Sequence, residues 1–137
     1  MKVIFVGIHN KPQIAALCSS TKSGKLIDRI IAKLPTDVDC EKTNLYDVDY
    51  LPKDQYEKDI ISLKWWEKVS IADFDIIVLL GIEVHDNFWG RAMHYILKIN
   101  HPASKRSHAE MDRYVSDTVE EILSLIEKSK KNQKQLK

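Results

Sequence analysis

The sequence predicts an α/β protein, a three-layer α/β/α domain built on a central, mostly parallel four-stranded sheet. Three observations carry that expectation. Short β-branched runs recur along the chain, each followed by a segment of helical spacing or a long polar loop. The best of these runs are continuously apolar, as strands buried on both faces are. The length, 137 residues, suits one domain with a substantial core.

The run VIFVG (3–7) ends in Gly and reads as the first strand. SGKLIDRIIAKLP then places Leu26, Ile27, Ile30, Ile31 and Leu34 at helical spacing, closed by Pro35. VDCEKTNLY (38–46) is a second strand that runs into the polar loop DVDYLPKDQ. Residues 54–70 form a charged amphipathic segment containing Trp65 and Trp66. FDIIVLLG (74–81) is the most strand-like run in the chain and is expected at the centre of the sheet. EVHDNFWGRAMHYIL carries Val84, Phe88, Trp89, Ala92, Met93 and Ile96 at helical spacing, and LKIN (97–100) follows as the fourth strand. The last helix opens at Ser107 with Glu110 three residues on, a capping box, and buries Met111, Tyr114, Val115, Ile122 and Leu125. The domain is expected to span 1–128, with 129–137 a basic, frayed tail.

Composition narrows the function classes. A chain that is 44% hydrophobic and 30% charged, with no apolar run near the length of a membrane span and no signal-peptide pattern, reads as a cytoplasmic protein without a membrane partner. A monomer is the default. Cys18 and Cys40 lack CxxC spacing, so neither a disulfide framework nor a four-cysteine metal site is indicated. The net charge of +1 leaves any contact with a polyanion to the local placement of cations.

In a parallel sheet of this kind, ligands sit beyond the carboxyl ends of the strands. Those ends carry His9 and Asn10, Asn44, and Asn100 with His101. The stretch KINHPASKRSH (98–108) also brings Lys105 and Arg106 to the start of the last helix, where exposed amides and the helix dipole favour an anion. Ser104 stands beside them, and Thr21, Lys22 and Ser23 repeat the arrangement before the first helix. Each feature also has a plainer reading. A His before Pro is commonly a loop residue bonded to backbone, and Asn44 and Asn10 suit Asx-turns. Trp65, Trp66, Phe88 and Trp89, at helical spacing, suit packing better than base stacking.

The order VGIHNKP, SGKLIDRIIAKL, TNLY, DIIVLLGIEV, NHPASKR resembles the uracil-DNA glycosylase superfamily over nearly the whole chain, and most closely its thermostable iron–sulfur branch. The likeness implies a uracil-DNA glycosylase-like fold and an N-glycosylase, a DNA-repair hydrolase that flips a pyrimidine, uracil or a modified one, out of single-stranded or duplex DNA. In that family a Gly-x-x-Pro-Gly type motif positions the attacking water, an Asn at a later strand end reads the base, and a His-Pro-Ser type loop enters the minor groove. These map here to Gly7–Pro12, with Gly7 and Ile8 beside the base and either Asn10, which we favour, or His9 holding the water; to Asn44; and to His101–Arg106. His101 becomes a donor to the base's O2, and the groups around Ser104 and Thr21 become phosphate clamps. Two departures stand out. Two cysteines cannot hold the branch's iron–sulfur cluster, so no cofactor is expected. The stretch IAALCSSTKSGK has no aromatic where the family stacks one on the base, its nearest residues being Cys18 and Ser19. A catalytically weak or inactive module that binds nucleotide, nucleic acid or protein is therefore the alternative, and a nucleoside or nucleotide hydrolase the third reading.

Overall fold

The computed structural model describes residues 2–9, 22–46, 53–70, 75–81, 84, 95–100 and 107–135. Four strands, β1 (Lys2–His9), β2 (Asp39–Tyr46), β3 (Ile76–Leu80) and β4 (Tyr95–Ile99), form one sheet in the order β2-β1-β3-β4, with every neighbouring pair parallel. Helices α1 (Lys22–Lys33), α2 (Gln55–Ser70) and α3 (His108–Gln135) complete the three-layer α/β/α domain. The expected fold class is thus observed, with the sheet parallel throughout and β3 central.

Period-two alternation decides which residues face which layer. Val3 and Phe5 of β1 and Ile76, Val78 and Leu80 of β3 join α1 and α3 in one core, through Leu26, Ile27 and Ile30 on α1 and Val115, Val119 and Ile122 on α3. Ile4, Val6, Ile77 and Leu79 point to the other side and are equally buried, so both sheet faces are covered, as the unbroken apolar run IIVLL requires. On that second side α2 lies over β2, where the Trp65 indole Nε1–H donates to Thr43 Oγ1 at 3.3 Å. Trp65 is a buried packing residue, as its helical spacing predicts.

The helix boundaries follow from local chemistry. Asp54 caps α2 by accepting the Glu57 amide at 2.8 Å, and the Glu57 carboxylate reaches back to the Lys53 amide, also at 2.8 Å. Ser107 and Glu110 form the predicted capping box of α3: the Glu110 amide donates to Ser107 Oγ at 3.2 Å and the hydroxyl donates back to the carboxylate at 3.1 Å.

Several boundaries differ from the sequence reading. The fourth strand starts at Tyr95 and ends at Ile99, so Ile96 belongs to β4 and not to a helix, and Asn100 lies just past the strand. Pairing with β3 overrides the helical spacing there, because Tyr95 through Ile99 are matched one for one with Ile76 through Leu80. Helix α1 begins at Lys22, which puts Lys22 and Ser23 inside its first turn and not ahead of it. Helix α3 continues to Gln135 with Ser129 buried, past the expected end at 128. Nothing in KSKKNQKQ breaks a helix, and its lysines suit the negative end of the dipole. Among the described residues no helix is long and apolar enough to cross a membrane.

Candidate active site at the carboxyl end of the sheet

Because all four strands run the same way, their carboxyl ends lie along one edge of the sheet. The register fixes which residues are level there. Asn44 is paired with Gly7, and the Val6–Leu79 and Leu80–Ile99 pairs extend the row, which reads Asn44, Gly7, Leu80, Ile99 across the sheet. All four lie on the α1/α3 side, since Leu80 and Ile99 belong to that core and Asn44 shares a face with its partner Gly7.

Asn44 is the one member of the row with a polar side chain, and it is only 4% exposed. Burying an amide is costly unless its hydrogen bonds are met, so a buried Asn at a strand's end is held by its surroundings and not loosely solvated. Its neighbour Gly7 is also buried and has no side chain, so no Cβ stands beside the amide at that position of β1. Two residues back on the same face, Lys42 forms an ion pair with Asp28 of α1. That pair fixes α1 against β2 just below Asn44.

At the far side of the row, Gly81 follows β3 with φ of 94°, a left-handed conformation that a Cβ disfavours. Its amide donates to the Ile99 carbonyl at 2.9 Å and closes the β3 and β4 ends together. The next carbonyl, that of Asn100, accepts from the Tyr114 hydroxyl at 2.7 Å, so α3 anchors the point where residues 101–106 depart. A shallow cavity of about 240 Å³ opens beside it, lined by Lys98, Asn100, Tyr114, Asp117, Thr118 and Glu121.

Helices α1 and α3 each follow a strand and run back along the sheet, so both begin at this same edge, presenting the positive ends of two dipoles. With strands about 4.8 Å apart, the ends of β2 and β4 are roughly 14 Å from one another.

The predicted site residues distribute as follows. Asn44 and Gly7 are brought side by side. Ile8 and His9 complete β1, His9 level with Tyr46 of β2. Lys22 and Ser23 open α1. Asn10, Thr21, His101, Ser104, Lys105 and Arg106 lie outside the described residues. Two participants are absent from the sequence reading of the site, Lys42 and the Tyr114 hydroxyl, and both depend on tertiary contacts.

An iron–sulfur cluster does not fit this chain. Cys40 is paired with Val3 near the amino end of β2, opposite the candidate edge, and it packs against the α1/α3 core. Burial, helped by the Asp39 charge, raises its thiol pKa above the ordinary value, which keeps it protonated and a poor ligand. Among the described residues no group of His, Cys, Asp and Glu side chains is arranged to hold a metal. No protein-family model matches the chain, and no curated protein matches it by sequence.

Proposed function

We propose that the protein is a monofunctional DNA N-glycosylase that hydrolyses the N-glycosidic bond of a flipped-out pyrimidine, uracil or a modified pyrimidine, on a uracil-DNA glycosylase-like fold. The observation that carries this reading is the buried Asn44 amide beside side-chain-free Gly7 at the carboxyl end of a parallel sheet. An amide offers both an acceptor and a donor, which matches the N3–H and O4 edge of a pyrimidine; a carboxylate offers acceptors alone. The roughly 14 Å between the ends of β2 and β4 suits one extruded nucleotide, read at its base by the first strand end and held near its sugar by the loop after the second.

In this mechanism the extruded base lies against Gly7 and Ile8 and pairs with Asn44. The glycosidic bond breaks with its electron pair moving onto the base, and His101 donates to O2, where the negative charge grows. A donor aimed at that oxygen acts mainly in the transition state. Asn10, or His9, orients a water that attacks the C1′ carbon as the sugar gains cationic character, leaving the free base and an abasic site. Lys105, Arg106 and Ser104 at the start of α3, and Thr21, Lys22 and Ser23 at the start of α1, hold the flanking phosphates. An amide activates water less than a carboxylate does, so turnover is slow.

One observation favours the second reading, a binding module without turnover: IAALCSSTKSGK offers no aromatic to stack on the base. One experiment separates the two. The protein is incubated with single-stranded and duplex oligonucleotides carrying uracil or bulkier modified pyrimidines, then treated with hot alkali to cut abasic sites. Strand breaks that disappear in Asn44→Ala and His101→Ala support the glycosylase. Retarded but unbroken DNA supports the binder, and breaks of equal yield in both variants remove the site assignment.

A further inference from the structure

Among the described residues, every large apolar side chain left exposed lies on α2: Tyr56 is 74% exposed, Ile60 37% and Leu63 43%. Their spacing, i, i+4 and i+7, makes one stripe. At about 100° per residue the stripe points roughly 170° away from the face that buries Ile61, Ser62 and Trp65. A helix lying on a sheet ordinarily turns polar residues outward, so a second apolar stripe opposite the first marks an interaction surface.

The charges beside the stripe say what fits it. Glu57, one of whose carboxylate oxygens accepts from the Lys53 amide at 2.8 Å, and Lys64 flank it on one side, two turns apart and of opposite sign. On the other flank Asp59 already accepts from Gln55 at 2.8 Å. When two copies of α2 cross antiparallel about a two-fold axis near Ile60, Ile60 meets Ile60 and Tyr56 meets Leu63, while each Glu57 comes opposite the partner's Lys64. The arrangement is self-complementary, as a two-fold interface must be.

We propose that α2 is a self-association surface whose occupant is a second copy of this chain, docked antiparallel through Tyr56, Ile60 and Leu63 and registered by reciprocal Glu57–Lys64 pairs. One helix about 24 Å long covers less than the ~800 Å² per partner of a standard stable interface, so the dimer is weak and concentration-dependent. The stripe faces away from the sheet, which leaves the carboxyl ends of the strands open in both copies.

Sedimentation equilibrium from micromolar to several hundred micromolar protein tests this. The expected result is a mass rising from one chain toward two, and a single-chain mass throughout for Leu63→Lys. Glu57→Lys and Lys64→Glu each place like charges opposite one another twice, and each weakens association on the order of tenfold or more. Mixed in equal amounts, the two variants regain every opposite-charge pair and associate at least as well as the unmodified chain. A simple folding defect cannot produce that rescue, and circular dichroism of each variant confirms its helix content. The proposal is overturned by a single-chain mass for the unmodified protein at all concentrations, or by a dimer indifferent to these changes. It is equally overturned by a mixture no better than its components, or by Leu63→Lys lowering thermal stability without changing mass, since the stripe is then covered within one chain.

Discussion

At the amino end of the sheet, Asp75 ties three strands together. Its carboxylate accepts from the Lys2 amide at 2.8 Å, its own amide donates to the Lys2 carbonyl at 2.9 Å, and its carbonyl accepts from the Tyr95 amide at 3.2 Å. The carboxyl end is composed differently. There the level residues are a buried amide, a glycine and two apolar side chains, with a left-handed glycine and a tyrosine hydroxyl fixing the exits of β3 and β4. The Asp75 polar atoms hold strands in register at the one end, while the Asn44 side chain is buried two residues before β2 ends at the other. Ligands of open parallel sheets gather at the carboxyl ends of the strands, which is the end where this buried amide lies.

That contrast is broken most directly by one substitution at each end. Asn44→Ala and Asp75→Ala each remove a hydrogen-bonding side chain, and each costs about 1 kcal/mol or somewhat more in urea unfolding. Their effects on base excision differ widely. On the proposed glycosylase mechanism, loss of the Asn44 amide lowers kcat/KM by roughly 100-fold or more, on the scale of removing one transition-state donor. Asp75→Ala leaves single-turnover excision unchanged. Equal losses of activity from the two variants would show that the carboxyl end is no more functional than the amino end.

A smaller effect is expected at Tyr114, whose hydroxyl donates to the Asn100 carbonyl just past β4. Tyr114→Phe keeps the packed ring and loses only the hydroxyl donor, so stability falls by about 1 kcal/mol. On the proposed mechanism, in which His101 follows directly after Asn100, kcat then falls several-fold while KM holds. A change confined to stability, with kcat intact, would limit the hydroxyl to a structural tie.

Much of this division was legible in the residues themselves. The unbroken run IIVLL announces a strand buried on both faces, and Ser107 with Glu110 announces the start of α3, because both signals are local. Asn44 was legible as a strand-end amide through its place after a β-branched segment. Its burial and its pairing with Gly7 were not, since register is a property of two strands that lie far apart in the chain. Ile96 shows the same limit: its spacing suited a helix, and only β3 alongside makes it part of a strand. The function of Tyr114 and Lys42 was invisible for the further reason that each acts through a partner on another element, the Asn100 carbonyl and Asp28. The cation cluster at 105–106 was legible as composition, and its distance from Asn44 is a tertiary quantity that no spacing encodes.

The smallest effect concerns the helices that begin at the carboxyl end. Arg29 of α1 and Asp112 of α3 form an ion pair at 2.6 Å, open to solvent on both sides. The hydrogen bond from Arg29 lowers the Asp112 pKa first and most; slight burial opposes it, and the positive charges of Arg29, Lys33 and His108 reinforce it. A carboxyl group whose folded pKa lies below its unfolded value, near ~3.9, stabilises the fold above that value and ceases to do so as pH falls through the folded pKa. Urea midpoints measured for the unmodified chain and for Asp112→Asn should therefore differ slightly at pH 6 and converge at pH 2.5. High salt should shrink the pH 6 difference, because exposed pairs are screened. A gap that widens on acidification would reverse the sign and show that the carboxylate opposes the folded state. Excision by Asp112→Asn stays at the unmodified level, since this pair joins the helices below their first turns and not at the strand ends where the proposed site lies.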